Sequence, residues 1–194
     1  VGQNTGGMGV CAPVKISDKD MHVVKNIIQT TIDGMCNSGR PYIGILYVGI
    51  MITEDGLKVL EYNCWFGDPE TQVQLVLMKS DLYKMMMDCC NGTVTDSLKF
   101  YDDRYVVGVV LANSGYPGQF EIEHEVTGID KAEEHGAIVF HARTTIGGGK
   151  IVTSGGCVLT VVGIDKDIDK AINVSKLAAE VINFKGKVYR TDIG

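Results

Sequence analysis

Between Met21 and Met35 apolar residues fall at Met21, Val24, Ile27, Ile28, Ile32 and Met35. Residues three and four apart share one face of a helix, so this spacing predicts an amphipathic helix. Ser17 stands ahead of it as an N-cap, with Asp20 at the fourth place of a capping-box-like pattern. Gly39 and Pro41 end the region. The pattern then changes. Gly44–Thr53 is rich in Ile, Val and Tyr, and a second such run spans Leu57–Asn63, across Glu54-Asp55-Gly56. Asp-Gly between two apolar runs predicts a hairpin. A helix is expected to start near Pro69, whose fixed φ suits a first turn. Another is expected after Ser80 as its cap, with Leu82, Met85, Met86 and Cys89 along one side and Asn91-Gly92 closing it.

Residues 93–104 are polar, and a domain boundary is placed here, giving domains of 1–100 and 101–194. Beyond it short strands are predicted at Tyr105–Leu111, Ile138–Ala142, Lys150–Thr153 and Val158–Val162. A helix is predicted from Ile168 to Ile182 and a last strand over Lys187–Arg190. The element mix is α+β, with no internal repeat and no low-complexity tract.

Composition narrows the function classes. Of 194 residues 45% are hydrophobic and 22% charged, which is ordinary for a globular chain and excludes bulk disorder. The formal net charge is −6, so the basic excess of a nucleic-acid binder is missing. No apolar run reaches the roughly 18 residues that span a bilayer; the longest, Gly44–Ile52, is strand-sized. The chain opens on Val1 without a charged segment leading into an apolar one. No signal peptide is expected, and an upstream segment is left open. Cys11, Cys36, Cys64, Cys89, Cys90 and Cys157 form no C-x-x-C pair. They read as buried reduced thiols, and hence predict the cytosol.

Several constellations could carry chemistry. Glu61 and Asn63 stand two apart in a predicted strand, so both side chains present oxygen on one side. Mg²⁺ prefers oxygen ligands and is commonly held by one or two protein groups plus phosphates; a solvated polar strand end is the alternative. Asn4, Thr5, Gly6, Gly7, Met8 and Gly9 form a glycine-rich loop whose backbone N–H groups suit a phosphate or carboxylate, or else a simple turn. Gly7-x-Gly9-x-x-Ala12 matches a dinucleotide fingerprint in letters only, because no strand precedes it and Pro13 follows. Gly147-Gly148-Gly149-Lys150 is no phosphate loop, since Ile151 stands where Ser or Thr is needed; a hairpin turn is expected. Asp68 and Glu70 flank Pro69 at a predicted helix start. Asp68 could cap that helix and Glu70 suit its positive end, or the two carboxylates could face a substrate amine or a metal. His22, His124, His135 and His141 have no metal spacing, and Met85–Met87 with Cys89 and Cys90 read as helix packing.

Taken in order, Asn-Thr-Gly-Gly-Met-Gly (4–9), Gly-Ile-Leu-Tyr-Val-Gly-Ile-Met (44–51), Leu-Glu-Tyr-Asn-Cys (60–64) and Phe-Gly-Asp-Pro-Glu-Thr-Gln (66–72) resemble the phosphoribosylamine–glycine ligase family. This family is also called glycinamide ribonucleotide synthetase, ATP-grasp enzymes of purine synthesis. The series continues through Lys-Ser-Asp-Leu-Tyr (79–83), Gly-Tyr-Pro-Gly (115–118), Val-Phe-His-Ala (139–142) and Val-Thr-Ser-Gly-Gly (152–156).

The resemblance implies an ATP-dependent joining of glycine to 5-phosphoribosylamine through a glycyl phosphate. It implies magnesium or manganese on Glu61 and Asn63, with Asn63 beside the ATP phosphates. The Asn4–Gly9 loop would hold phosphoribosylamine, and Asp68 and Glu70 would stand at the reacting groups. It implies the C-terminal lobe of an ATP-grasp unit, an antiparallel sheet with helices, followed by a small mixed α/β terminal domain. The upstream lobes of the enzyme would be its partners, and without them the polypeptide is expected to be inactive. Three positions depart from the family: Trp65 and Cys157 where it has arginine, and Arg143 where it has glycine. Trp offers one N–H in place of a fork of donors. That motivates two alternatives, a non-catalytic relative on an ATP-grasp scaffold and a ligase of another substrate.

Overall fold

The computed structural model describes residues 5–95 and 98–194. They fall into two compact units. The larger comprises the described residues through Pro13, Asp68–Met78 and Tyr101–Gly194; the smaller comprises the described residues of Val14–Gly67 and Lys79–Phe100.

The larger unit is built on a five-stranded antiparallel sheet in the order β1-β4-β8-β5, with β9 also pairing β4. Its strands are β1 (Gly9–Ala12), β4 (Tyr105–Asn113), β5 (Ile138–His141), β8 (Cys157–Asp165) and β9 (Lys187–Val188). Nearly all of β4 and most of β8 are buried, because both faces of the sheet are covered. Alternation sends Val109, Leu111, Leu159 and Val161 to one face, where they pack with Ala178, Ala179 and Ile182 at the end of α5 (Ile168–Val181). Val106 and Val162 face the other way, onto Val73 and Leu77 of α2 (Glu70–Leu77). A short helix α4 (Ile129–Glu134) precedes β5, and the hairpin β6–β7 (Thr144–Gly147, Lys150–Thr153) turns at Gly148 and Gly149. Both turn glycines have positive φ, +57° and +78°, as a tight two-residue hairpin requires.

The smaller unit holds α1 (Asp18–Asn37), the hairpin β2–β3 (Tyr47–Thr53, Gly56–Asn63) and α3 (Leu82–Asn91). Ser17 caps α1 as its sequence predicts: its hydroxyl accepts from the Asp20 N–H at 3.1 Å and donates to the Asp20 carboxylate at 2.7 Å. Gly92 closes α3 in the left-handed conformation.

Several expectations are corrected. Asp81, not Ser80, caps α3 by accepting from the Lys84 N–H at 2.7 Å. Ser80 Oγ instead accepts from the Lys99 N–H. No side chain caps α2: Pro69 takes the cap position, and Asp68 accepts from Gln72 Nε2. Met86, Met87 and Cys90 are exposed, while Leu82, Met85 and Cys89 are the partly buried apolar positions of α3. The cysteines are free, but none is fully buried, and Cys36, Cys64 and Cys90 are exposed. β1, α4 and β6 were not foreseen. They are only four to six residues long, too short for a clear period. Among the described residues no helix is long and apolar enough to cross a membrane.

Candidate functional site

In the smaller unit, β3 brings Glu61 and Asn63 together. The strand carries a bulge: Glu61 pairs with Gly49 and Val59 with Ile50, leaving Leu60 as the extra residue. The irregularity precedes Glu61, so alternation from Glu61 to Asn63 is undisturbed and both side chains share a face. Asn63 Nδ2 donates to Glu61 Oε1 at 3.0 Å. Asn63 is buried and Glu61 exposed, so the amide is the fixed member and orients the carboxylate. Opposite, Gly49 leaves space for Glu61, since a Cβ there would lie 3.2 Å from Glu61 Cγ.

This pair fits a hard divalent cation. The hydrogen bond occupies the amide nitrogen and leaves Asn63 Oδ1 and Glu61 Oε2 as oxygen donors. Among the described residues no cluster of three His, Cys, Asp or Glu could hold a metal. A cation here would complete its shell from water or phosphate, which suits Mg²⁺. Trp65 follows on the same segment and is 64% exposed.

In the larger unit, a cavity of about 90 Å³ is lined by Gly6, Gly7, Asp68, Val110, Tyr116, Ala142, Cys157 and Thr160. It lies on the sheet face that also carries α2, where Val110 and Thr160 continue the alternation of Val106 and Val162. Gly7 packs against the start of α2. A Cβ there would come within 2.7 Å of Pro69 Cδ and 3.7 Å of Glu70 Oε1. Gln72 Nε2 donates to Asp68 Oδ1 at 2.8 Å from one turn along the chain.

Tyr116 lines the cavity. Its hydrogen-bonding interaction with Cys157 raises the tyrosine pKa, and one with the Gly6 backbone opposes that. Burial pushes the Cys157 thiol up, the Asp68 carboxylate adds to that, and the Tyr116 bond and the Arg143 charge oppose it.

The glycine-rich loop ends sooner than its composition suggests. Met8 O accepts from the Val110 N–H at 3.1 Å. Gly9 already belongs to β1, and Ile193 packs where its side chain would be. Thr5, Gly6 and Gly7 are exposed loop residues; Asn4 lies outside the described residues. The expected site residues thus form two constellations, Glu61 with Asn63 in one unit and Gly6, Gly7, Asp68 and Glu70 in the other. Tyr116, Cys157 and Thr160 were not predicted as site residues, because distant strands and loops bring them there. The signals along the chain were the Gly-Tyr-Pro-Gly motif around Tyr116 and the Val-Thr-Ser-Gly-Gly run that leads into Cys157.

Two models of one family match this chain in order. The ATP-grasp (A) domain of phosphoribosylglycinamide synthetase matches residues 1–71, and its C domain matches residues 106–194. The chain belongs to the phosphoribosylglycinamide synthetase family. Over 196 aligned residues and 100% of its length, it is 48% identical to the trifunctional purine biosynthetic protein adenosine-3 of Gallus gallus, covering 20% of that protein. It is 38% identical, again over 100% of its length, to the phosphoribosylamine–glycine ligase of Haemophilus influenzae, covering 46% of it. The crystal structure of the Thermotoga maritima phosphoribosylamine–glycine ligase superimposes with a TM-score of 0.89 at 32% identity, over 100% of this chain and 48% of that one. The chain therefore spans about half the length of the bacterial relatives and a fifth of the chicken protein. Cys157 and Arg143 are neighbours in space: the Arg143 N–H donates to the carbonyl of Val158, the residue after Cys157, at 3.1 Å.

Proposed function

We propose that this chain is part of an ATP-dependent ligase that joins glycine to 5-phosphoribosylamine in purine synthesis. The observation that carries the reading is the match over its whole length to the Thermotoga maritima ligase, in sequence and in fold. ATP phosphorylates the glycine carboxylate, releasing ADP. The amine of phosphoribosylamine attacks the carbonyl carbon, and phosphate leaves to give glycinamide ribonucleotide.

Glu61 and Asn63 would hold Mg²⁺, or Mn²⁺, through their free oxygens, with Asn63 on the side of the ATP phosphates; bound there, such a cation would supply charge compensation for phosphoryl transfer. Glu61 is held in its productive orientation by the Asn63 amide before anything binds, which lowers the reorganisation needed at reaction. Thr5, Gly6, Gly7, Met8 and Gly9, with Asn4, hold phosphoribosylamine, the exposed backbone at Gly6 and Gly7 offering N–H donors to its phosphate. Asp68 and Glu70 are the catalytic carboxylates. Gln72 fixes Asp68, so the pair can receive and orient an amine.

The upstream lobes of the same enzyme are the expected partner. Met51, Ile52, Leu60 and Trp65, all at least half exposed, give the smaller unit apolar surface for further polypeptide to cover. On this reading residues 1–100 are the C-terminal ATP-grasp lobe, 101–194 are the terminal domain, the chain alone is inactive, and the enzyme works in the cytosol.

The test is ADP formation by the complete polypeptide with ATP, Mg²⁺, glycine and phosphoribosylamine. Turnover that requires both glycine and the amine is expected. Turnover without glycine points to another carboxylate substrate. No turnover, either as sequenced or after Trp65→Arg, supports the second reading, a non-catalytic relative, which the loss of the family arginine at Trp65 favours.

A further inference from the structure

Another cavity of the larger unit has no role in the ligation. It holds about 580 Å³, and Asn113, Ser114, Phe120, Glu121, His124 and Lys185 are among the residues that line it. That volume is ordinary for a small-molecule site. One wall is the segment that leaves β4 and the other precedes β9. The Ser114 N–H donates to Gly186 O at 2.7 Å and ties the two together.

Asn113 is the buried polar group here, 2% exposed. Its N–H donates to Gly156 O at 2.8 Å, its carbonyl accepts from the Tyr116 N–H at 3.1 Å, and its Nδ2 donates to Gly155 O at 2.6 Å. The last bond fixes which way the amide lies. Oδ1 has no hydrogen-bond partner among the described residues, and a buried acceptor left unpaired is costly. Glu121 adds a second acceptor. Lys185 Nζ, at 2.8 Å, and His124 Nε2, at 3.2 Å, both meet its Oε2, which leaves Oε1 open to a ligand. Phe120 supplies a flat apolar face and is 38% exposed. Its Cε1 would lie 3.2 Å from a Cβ at Gly156, the residue whose carbonyl holds Asn113. The ring and the carboxamide are thus anchored on one backbone segment, and a side chain at 156 would push the ring away.

These features select a ligand class. The unpaired atoms are acceptors, so they need N–H or O–H donors. Lys185 already has a counter-ion in Glu121, which leaves little positive charge for a phosphate. An aromatic face takes a planar ring. A nucleoside meets all three conditions: its base stacks on an aromatic side chain, an exocyclic amine donates to a carboxamide oxygen, and ribose hydroxyls donate to a carboxylate. We propose that this cavity binds a neutral nucleoside whose base carries an exocyclic amine, with the base on Phe120, the amine on Asn113 Oδ1 and a ribose hydroxyl on Glu121 Oε1. None of these residues has a role in the ligation, so either assignment can fail while the other stands.

The test is calorimetric titration of the complete polypeptide with adenosine, inosine and AMP, for the wild type, Phe120→Ala and Phe120→Tyr. Losing the stacking platform, or leaving the buried oxygen unpaired, each corresponds to about 5- to 150-fold in affinity. Adenosine is expected to bind the wild type, to weaken by that factor in Phe120→Ala and to recover in Phe120→Tyr, which keeps the ring. Inosine has a carbonyl in place of the amine and should bind the wild type more weakly by a similar factor, a comparison that needs no substitution. AMP should bind no tighter than adenosine. No adenosine binding, or affinity within twofold of wild type in Phe120→Ala, overturns the proposal. So does equal binding of adenosine and inosine, or AMP tighter by tenfold or more. Adenosine that ATP displaces and the Phe120 variants leave unchanged belongs to the nucleotide site of the ligase, and overturns this site while the ligase reading stands.

Discussion

The side-chain amide of Asn63 donates to Glu61 Oε1 at 3.0 Å, two residues back along the same strand. The buried member of the pair aims the exposed one, so a change at Asn63 acts on Glu61 as well. Asn63→Leu in the complete polypeptide is expected to raise the Mg²⁺ concentration for half-maximal activity by about 10- to 100-fold, the usual range for losing the group that orients a metal ligand. A Mg²⁺ titration of ADP formation checks it. An unchanged midpoint would remove the pair from the metal site.

Gly7→Ala places a methyl group within 2.7 Å of Pro69 Cδ. The proline ring is fixed at the start of α2 and gives little, so the loop must move. The stability cost is about 1–3 kcal/mol, as for other overpacked sites. Urea unfolding of the variant measures it, and the KM for phosphoribosylamine should rise in parallel.

Gln72 separates positioning from stability. Its Nε2 holds Asp68, while its Oε1 is buried without a hydrogen-bond partner. Gln72→Met loses one hydrogen bond and also relieves one orphaned polar atom. These effects oppose each other, so unfolding free energy should stay within about 1 kcal/mol of wild type. Activity should fall nonetheless, because Asp68 is released. A large destabilisation with unchanged kinetics would refute the positioning role.

Trp65 is 64% exposed, so Trp65→Arg should change stability by no more than about 0.5 kcal/mol, as is usual for a surface position. In the complete polypeptide the guanidinium's fork of donors is expected to tighten nucleotide or substrate binding. Unchanged affinity would make position 65 merely structural.

Near the C-terminus, the Arg190 guanidinium grips both oxygens of Asp192 and holds its carboxyl down at about 2, against an ordinary 3.8. A depressed carboxyl favours the folded state fully above its unfolded value, and that contribution is lost as pH falls through about 2. Both groups are exposed, so the effect is modest and weakens with salt. NMR titration of the Asp192 side chain should give the low midpoint, returning to near 3.8 in Arg190→Ala.

The sequence by itself determined the elements whose signals are local. The Ser17 cap, the Asp55-Gly56 hairpin, Gly92 at the end of α3 and the run Val106–Ala112 follow from side-chain spacing and turn chemistry within a few residues. It also determined that Glu61 and Asn63 share a face, because strand alternation is a property of the backbone. Which of two adjacent polar residues caps a helix, Ser80 or Asp81, was not legible, since both could accept the same N–H and only the loop geometry chooses. Nor was the cavity. Gly6, Asp68, Tyr116 and the β8 pair Cys157 and Thr160 come from stretches tens of residues apart and meet only because β4 and β8 pair and α2 covers one face of their sheet. Cys157 and Arg143 read as unrelated departures along the chain. The pairing of neighbouring strands puts them side by side, and strand pairing is set by long-range burial that no local pattern encodes.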